Sequence, residues 1–145
     1  MCFTRSTPYF FTRGLTMDYE LCKYIEIKLA KIEYYNWSSR TDEEYERRKL
    51  QIHIQIAKAK KAYKQNPTPK NKSILLRKYE KLKYNISRTE YLIILEDINN
   101  FKRQYPEIPL KLWQPESFYI LGEQLKQGEN LQSAIYKTEH FKFLC

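Results

Sequence analysis

Two long runs of helical periodicity meet at Asn66-Pro67-Thr68-Pro69, and that junction constrains the fold more than any other feature of the chain. Proline disfavours helical geometry in the residue before it, so the first run must stop by Asn66. The same segment restarts a helix, with Thr68 as N-cap and Pro69 at the first helical position, where the missing N–H has no intrahelical partner to lose. Upstream, Tyr45, Lys49, Ile52, Ile56, Ala59 and Tyr63 step alternately by four and three, a heptad pattern of the coiled-coil kind with one polar defect at Lys49. Thr41-Asp42-Glu43-Glu44 forms a capping box that opens this helix, predicted over 42–65. Gln51 to Ile56 alternates polar and apolar, which is also a strand pattern. The flanking Arg47-Arg48-Lys49-Leu50 and Ala57-Lys58-Ala59-Lys60-Lys61-Ala62 are strong helix formers with no turn signal, so helix wins.

Downstream of the junction, Leu75, Tyr79, Leu82 and Ile86 repeat the four-three-four step. After Thr89 the stripe resumes as Tyr91, Ile94, Ile98, Phe101 and Tyr105, ahead of Pro106. Read as one helix over 69–105, about 36 residues at 1.5 Å each would span roughly 54 Å. The expectation is a long antiparallel hairpin of 42–65 against 69–105. Tyr91 to Leu95 is apolar nearly all round, which predicts burial against several neighbours.

The rest of the chain completes an all-α fold. Cys22, Ile25, Leu29 and Ile32 mark one face of an N-terminal helix from Asp18 to about Asn36, with Asp18 and Glu20 in the first turn, where negative charge complements the helix dipole. Asn36 to Arg40 reads as the break after it. Pro106 and Pro109 predict an extended 106–113. Pro115 then opens a short helix to about Gln127, closed by Gly128, and a last short helix runs from Asn130 to about His140. The predicted body is one helical domain over 17–145, the hairpin packed with the N-terminal helix and the two short C-terminal ones. Only 3 Gly occur, too few for an all-β fold or most Gly-lined nucleotide loops.

Residues 1–16 have a different character: Arg5 and Arg13, no acid, and many hydroxyl and aromatic side chains. That composition fits an organellar targeting segment or an extended, partner-bound arm, and Met17 offers an internal start as a third reading. Cys2, Cys22 and Cys145 are widely spaced with no C-x-x-C, so neither a disulfide framework nor a zinc site is expected. Reduced thiols point to an intracellular compartment, cytoplasmic, or organellar if 1–16 is a targeting segment. No apolar run approaches the roughly 20 residues that span a bilayer. His53 is expected to face solvent, and neither it nor His140 has partners at metal-ligand spacing. No cofactor is implied.

The formal net charge is +9, and it is concentrated. Residues 58–88 hold Lys58, Lys60, Lys61, Lys64, Lys70, Lys72, Arg77, Lys78, Lys81, Lys83 and Arg88 against Glu80 alone, a net of +10, while the remainder comes to −1. The excess falls on both arms at the tip of the predicted hairpin. Such a lobe attracts polyanions through phosphate contacts that weaken steeply with salt. Nine Lys to two Arg favours attraction to the backbone over bidentate base reading. Tyr63 and Tyr79 fall on the hairpin's apolar stripe and are assigned to its core, leaving Tyr84 as the ring available to stack on an unpaired base. The plain alternative is a solvated Lys-rich face.

No enzyme constellation is present: no Gly-rich phosphate loop, no G-x-S-x-G and no H-E-x-x-H. The expected function is non-enzymatic binding of nucleic acid, RNA more than DNA, or of a ribonucleoprotein surface, through those eleven cations and Tyr84. An acidic protein surface is the competing partner. A separate reading makes the chain an accessory or scaffold subunit of a large assembly, or a small protein inhibitor. It draws on the aromatic N-terminal arm, on Trp113 between prolines, and on a helix too long for a compact monomer.

Overall fold

The computed structural model describes residues 16–38 and 41–141, with no account of the side chain of Ser38. Among them the chain is all-α: α1 (Tyr19–Ser38), α2 (Asp42–Gln65), α3 (Pro69–Tyr84), α4 (Arg88–Gln104), α5 (Pro115–Lys126) and α6 (Leu131–Glu139), with a 3₁₀ turn at Leu110–Leu112 and no strand. The readings offered for the N-terminal arm, and those for Cys2 and Cys145, lie outside the described residues.

Most helix starts follow from side chains that satisfy amides the helix itself leaves open. Asp18 Oδ1 accepts from the Leu21 amide at 2.8 Å. Thr41 Oγ1 accepts from the Glu44 amide at 3.1 Å, and Thr68 Oγ1 from the Asn71 amide at 3.1 Å. Asn130 Oδ1 accepts from the Ser133 amide at 2.8 Å. Gly128, at φ +100, takes the left-handed conformation that ends α5, its amide donating to the Leu125 carbonyl.

The expected single helix over 69–105 is two helices, broken at Asn85-Ile86-Ser87. Asn85 leaves helical geometry at φ −86, ψ 94, and its side-chain Nδ2 donates to the Tyr45 carbonyl at 3.3 Å. Ser87 Oγ then accepts from the Glu90 amide at 3.2 Å and caps α4. Ser87 offers a local amide a partner outside the helical ladder, while the Asn85 side chain is tied to α2, and the helix is divided between them. α1 ends at Ser38, within the break expected over Asn36 to Arg40.

The described residues form two compact units, one from those up to Ala30 together with those from Ile94 onward, the other from those between Lys31 and Ile93. In the first, Leu21, Cys22 and Ile25 of α1 are buried, as are Ile94, Ile98 and Phe101 of α4 and Phe118 and Leu121 of α5. Tyr24 meets Phe101 edge-on, ring centres 6.1 Å apart. α5 packs against α6, and α5 also approaches α1 closely at Gly122, where an added Cβ would lie 3.0 Å from Cys22 Cβ. The segment 106–113 is not extended: Pro109 leads into the 3₁₀ turn, which carries Trp113 inward against Phe118 with ring centres 4.7 Å apart.

In the second unit, α2 packs along α3 through the turn at 66–68. Ile52, Ile56 and Ala59 are its buried stripe, as their heptad spacing predicts, and each buried Ile contributes about 1.5–3 kcal/mol. Asn71 Nδ2 ties the turn by donating to the Asn66 carbonyl at 2.9 Å. Tyr35 stacks on Tyr91 at 4.1 Å, and Lys31 pairs with Glu90 at 3.5 Å. The all-round burial expected of Tyr91 to Leu95 is not found, since Leu92 and Ile93 are about half exposed.

Candidate nucleic-acid interface

Ten of the eleven cations of 58–88 lie along one hairpin, and the eleventh opens the helix that follows it. Lys58, Lys60, Lys61 and Lys64 lie on the last turns of α2, Lys70, Lys72, Arg77, Lys78, Lys81 and Lys83 along α3, and Arg88 opens α4. All are exposed except Lys78, which is half-buried. Lys78 shares the α3 face of Asn71, Leu75 and Leu82, which are half-buried as well.

Among the described residues none of these cations forms an ion pair within 4.0 Å; the four ion pairs lie elsewhere, at Lys23–Glu26, Lys31–Glu90, Lys111–Glu139 and Lys137–Glu129. The single acid in the window, Glu80, pairs with none of them. Two of them have aromatic neighbours. Lys60 Nζ sits 5.8 Å from the Tyr79 ring centre, and Lys83 Nζ sits 5.6 Å from that of Tyr84. Such contacts are worth about 0.5–1 kcal/mol at exposed sites and leave the positive charge intact.

The tyrosines are arranged differently from the stripe reading. Tyr63 is half-buried on the hairpin seam, as expected, and Tyr84 is half-buried beneath Lys83. Tyr79, assigned to the core by its spacing, is 40% exposed beside Lys60. Leu76, one turn before it, is 56% exposed and borders a shallow groove of about 360 Å³ lined also by Pro69, Lys72, Ser73, Arg77 and Glu80. The periodicity missed these two because the packed face of α3 runs through Lys78 instead of Tyr79.

Another concavity lies in the first unit. It is an open groove of about 480 Å³ formed by Glu26, Pro115, Glu116, Tyr119, Ile120 and Phe141. Lys23 stands at its edge, 3.6 Å from Glu26 and 5.6 Å from the Tyr119 ring centre. Cys22 is fully buried, and burial, helped by Asp18 and Glu26, pushes its thiol up to about 12, so it stays protonated at neutral pH. Among the described residues no three His, Cys, Asp or Glu side chains converge in a way that would hold a metal ion. His53 is exposed, as its place on α2 predicts. No described helix is long and apolar enough to cross a membrane.

The supports of the scaffold reading fare unevenly. Trp113 is 8% exposed, its Nε1 donating to the Ile108 carbonyl at 3.4 Å, so it is a core residue and offers no interface anchor. The overlong helix is divided at 85–87, and the N-terminal arm lies outside the described residues. Trp37, 74% exposed at the end of α1 beside Tyr34, was not singled out by its sequence context. No protein-family model, no curated protein sequence and no solved structure matches this chain.

Proposed function

We propose that this protein is a non-enzymatic nucleic-acid-binding protein that engages RNA, in preference to DNA, through the basic hairpin of α2 and α3. The observation that carries the reading is the set of eleven cations on 58–88 without an ion pair among the described residues. Each phosphate contacted by such a Lys releases a condensed counterion, so affinity falls with salt at a log–log slope of about −0.7 per contact on a single strand. The dominance of Lys supports contact with the phosphate backbone, and exposed ring surface beside the lysines supports a preference for unpaired bases.

The test is a charge reversal that leaves the seam alone. Lys58, Lys60, Lys61, Lys70 and Lys72 are changed to Glu, sparing half-buried Lys78, and binding to a labelled RNA and a matched DNA is followed by anisotropy across a salt series. The parent is expected to bind with a steep salt slope, and the reversed protein to lose at least a hundredfold in affinity at low salt. A parent that binds neither nucleic acid, or a reversed protein that binds as the parent does, refutes the proposal.

A second reading, a subunit or inhibitor that docks on a protein, draws on Trp37 and on Leu50 and Ile54, which are exposed on the α2 face opposite Ile52 and Ile56. A stoichiometric partner recovered from native extract after nuclease treatment would favour it over RNA binding.

A further inference from the structure

The two long flanks of the basic hairpin differ in chemistry. At 100° per residue, the α2 seam of Ile52, Ile56 and Ala59 puts Lys60 and Lys64 on one flank and Lys58 on the other. On α3 the seam of Asn71, Leu75, Lys78 and Leu82 separates Lys72, Tyr79 and Lys83 from Lys70, Arg77 and Lys81. The contact of Lys60 Nζ with the Tyr79 ring, 5.8 Å from its centre, identifies the flanks that lie on the same side. One side therefore carries Lys60, Lys64, Lys72 and Lys83 around an exposed ring; the other carries Lys58, Lys70, Arg77 and Lys81 around half-buried Tyr84.

Resting on the reading of the hairpin as a nucleic-acid interface, we propose that the Lys60–Lys64–Lys72–Tyr79–Lys83 flank is a track for single-stranded RNA, with Tyr79 stacking on one unpaired base and the lysines holding the adjoining phosphates. Tyr79 keeps 40% of its surface exposed, and Leu76, one helical turn away at 56%, widens the apolar platform. Bases in a duplex have both faces covered by their neighbours, so a ring on a helix flank can stack only on a base already free. Lys72 and Lys83 are eleven residues apart, roughly 17 Å along α3, which lets them reach different phosphates of one extended strand. Lys60, beside the ring, stands where the phosphate of the stacked nucleotide would lie.

The experiment compares a labelled 20-nucleotide oligouridine with a blunt RNA duplex of about the same length, using the full chain. Tyr79→Ala should weaken single-strand binding by about 5- to 100-fold, the range found for one stacked base, and change duplex binding by less than about twofold. Tyr79→Phe should bind as the parent does. Lys60→Gln with Lys72→Gln should cost single-strand affinity more than Lys70→Gln with Lys81→Gln on the opposite flank. Circular dichroism confirms that each variant is folded, as expected for exposed positions. If Tyr79→Ala leaves single-strand binding unchanged, or weakens strand and duplex alike, the stacking track is refuted while the basic interface stands. If the parent binds neither strand nor duplex, both proposals fall.

Discussion

Replacing Gly122 with alanine sets two effects of known sign against each other. Glycine inside a helix is less favourable than alanine by about 1 kcal/mol, so on backbone grounds alone the variant gains stability. The geometry opposes it: the new Cβ would lie 3.0 Å from Cys22 Cβ, 3.5 Å from Tyr19 Cδ1 and 3.9 Å from the Tyr19 carbonyl oxygen. Carbon atoms pack best at about 3.5–4.0 Å, so Cys22 Cβ must withdraw by roughly half an ångström. It is fixed to the α1 backbone and fully buried, so the helix has to move with it. Overpacking of this kind costs about 1–3 kcal/mol, and the expected balance is a loss of about 1 kcal/mol. With a urea slope near 2 kcal/mol/M, the denaturation midpoint should fall by roughly 0.5 M. Cys22→Ala gives no relief, because alanine retains the clashing atom, whereas Cys22→Gly removes it. Gly122→Ala in the Cys22→Gly background should therefore be neutral or stabilising. The reasoning is refuted if Gly122→Ala stabilises the parent, or if its cost is the same in both backgrounds.

Two further outcomes concern the same unit. Ser117 is fully buried in the first turn of α5 and its Oγ has no hydrogen-bond partner, so Ser117→Ala should raise the unfolding free energy by about 1–2 kcal/mol; a lower midpoint in urea would show that the hydroxyl is partnered. The Cys22 thiol, raised to about 12 by burial and then by Asp18 and Glu26, remains protonated in the folded chain at pH values where the unfolded thiol ionises. Its contribution is whole below the unfolded value of 9.0 and is lost as pH climbs from there toward 12, at up to about 1.4 kcal/mol per pH unit. Between pH 8.5 and 10.5 the parent should thus lose about 1–2 kcal/mol more stability than Cys22→Ala does, and parallel pH profiles would contradict that assignment.

Local chemistry was readable where both partners lie within a turn of each other. Thr41, Thr68 and Asn130 cap helices because their side chains meet amides three residues on, a distance that sequence spacing states directly. The stop at Asn85 depends on a carbonyl of Tyr45, 40 residues away, and only a five-residue slip between Ile86 and Tyr91 in the apolar stripe announced it. Tyr79 and Lys78 exchanged their expected places for a related reason. A heptad stripe drifts about 20° per repeat around a straight helix, so one position of phase decides which neighbour meets the seam. Here Asn71, fastened to the Asn66 carbonyl, starts the packed face one step earlier than the apolar residues imply. Trp113 was misplaced because two flanking prolines signal exposure, while the 3₁₀ turn between them reverses the direction of the ring. The basic cluster itself was fully legible, since charge counts require no tertiary knowledge; its sidedness was not.

That sidedness bears on how the hairpin holds together. α3 contains no fully buried residue, and the seam relies on Ile52, Ile56 and Ala59 of α2 and on the caps at both ends of the turn. Against these stand like charges one turn apart: Lys58–Lys61, Lys60–Lys64 and Lys61–Lys64 on α2, and Arg77–Lys81 and Lys78–Lys81 on α3. At about 0.2–0.5 kcal/mol each, they oppose the fold by roughly 1–2 kcal/mol at low salt. Glu80 offsets part of this by proximity to Arg77 and Lys83 on its own helix. A hairpin shaped only for stability would have spread acids among these positions, as the C-terminal part of the chain does with Glu129 beside Lys137 and Glu139 beside Lys111. On the proposed reading, an anionic strand laid along the flank would remove the repulsion at the moment it binds. Binding and hairpin stability are then one linked equilibrium, in which each phosphate neutralised strengthens both.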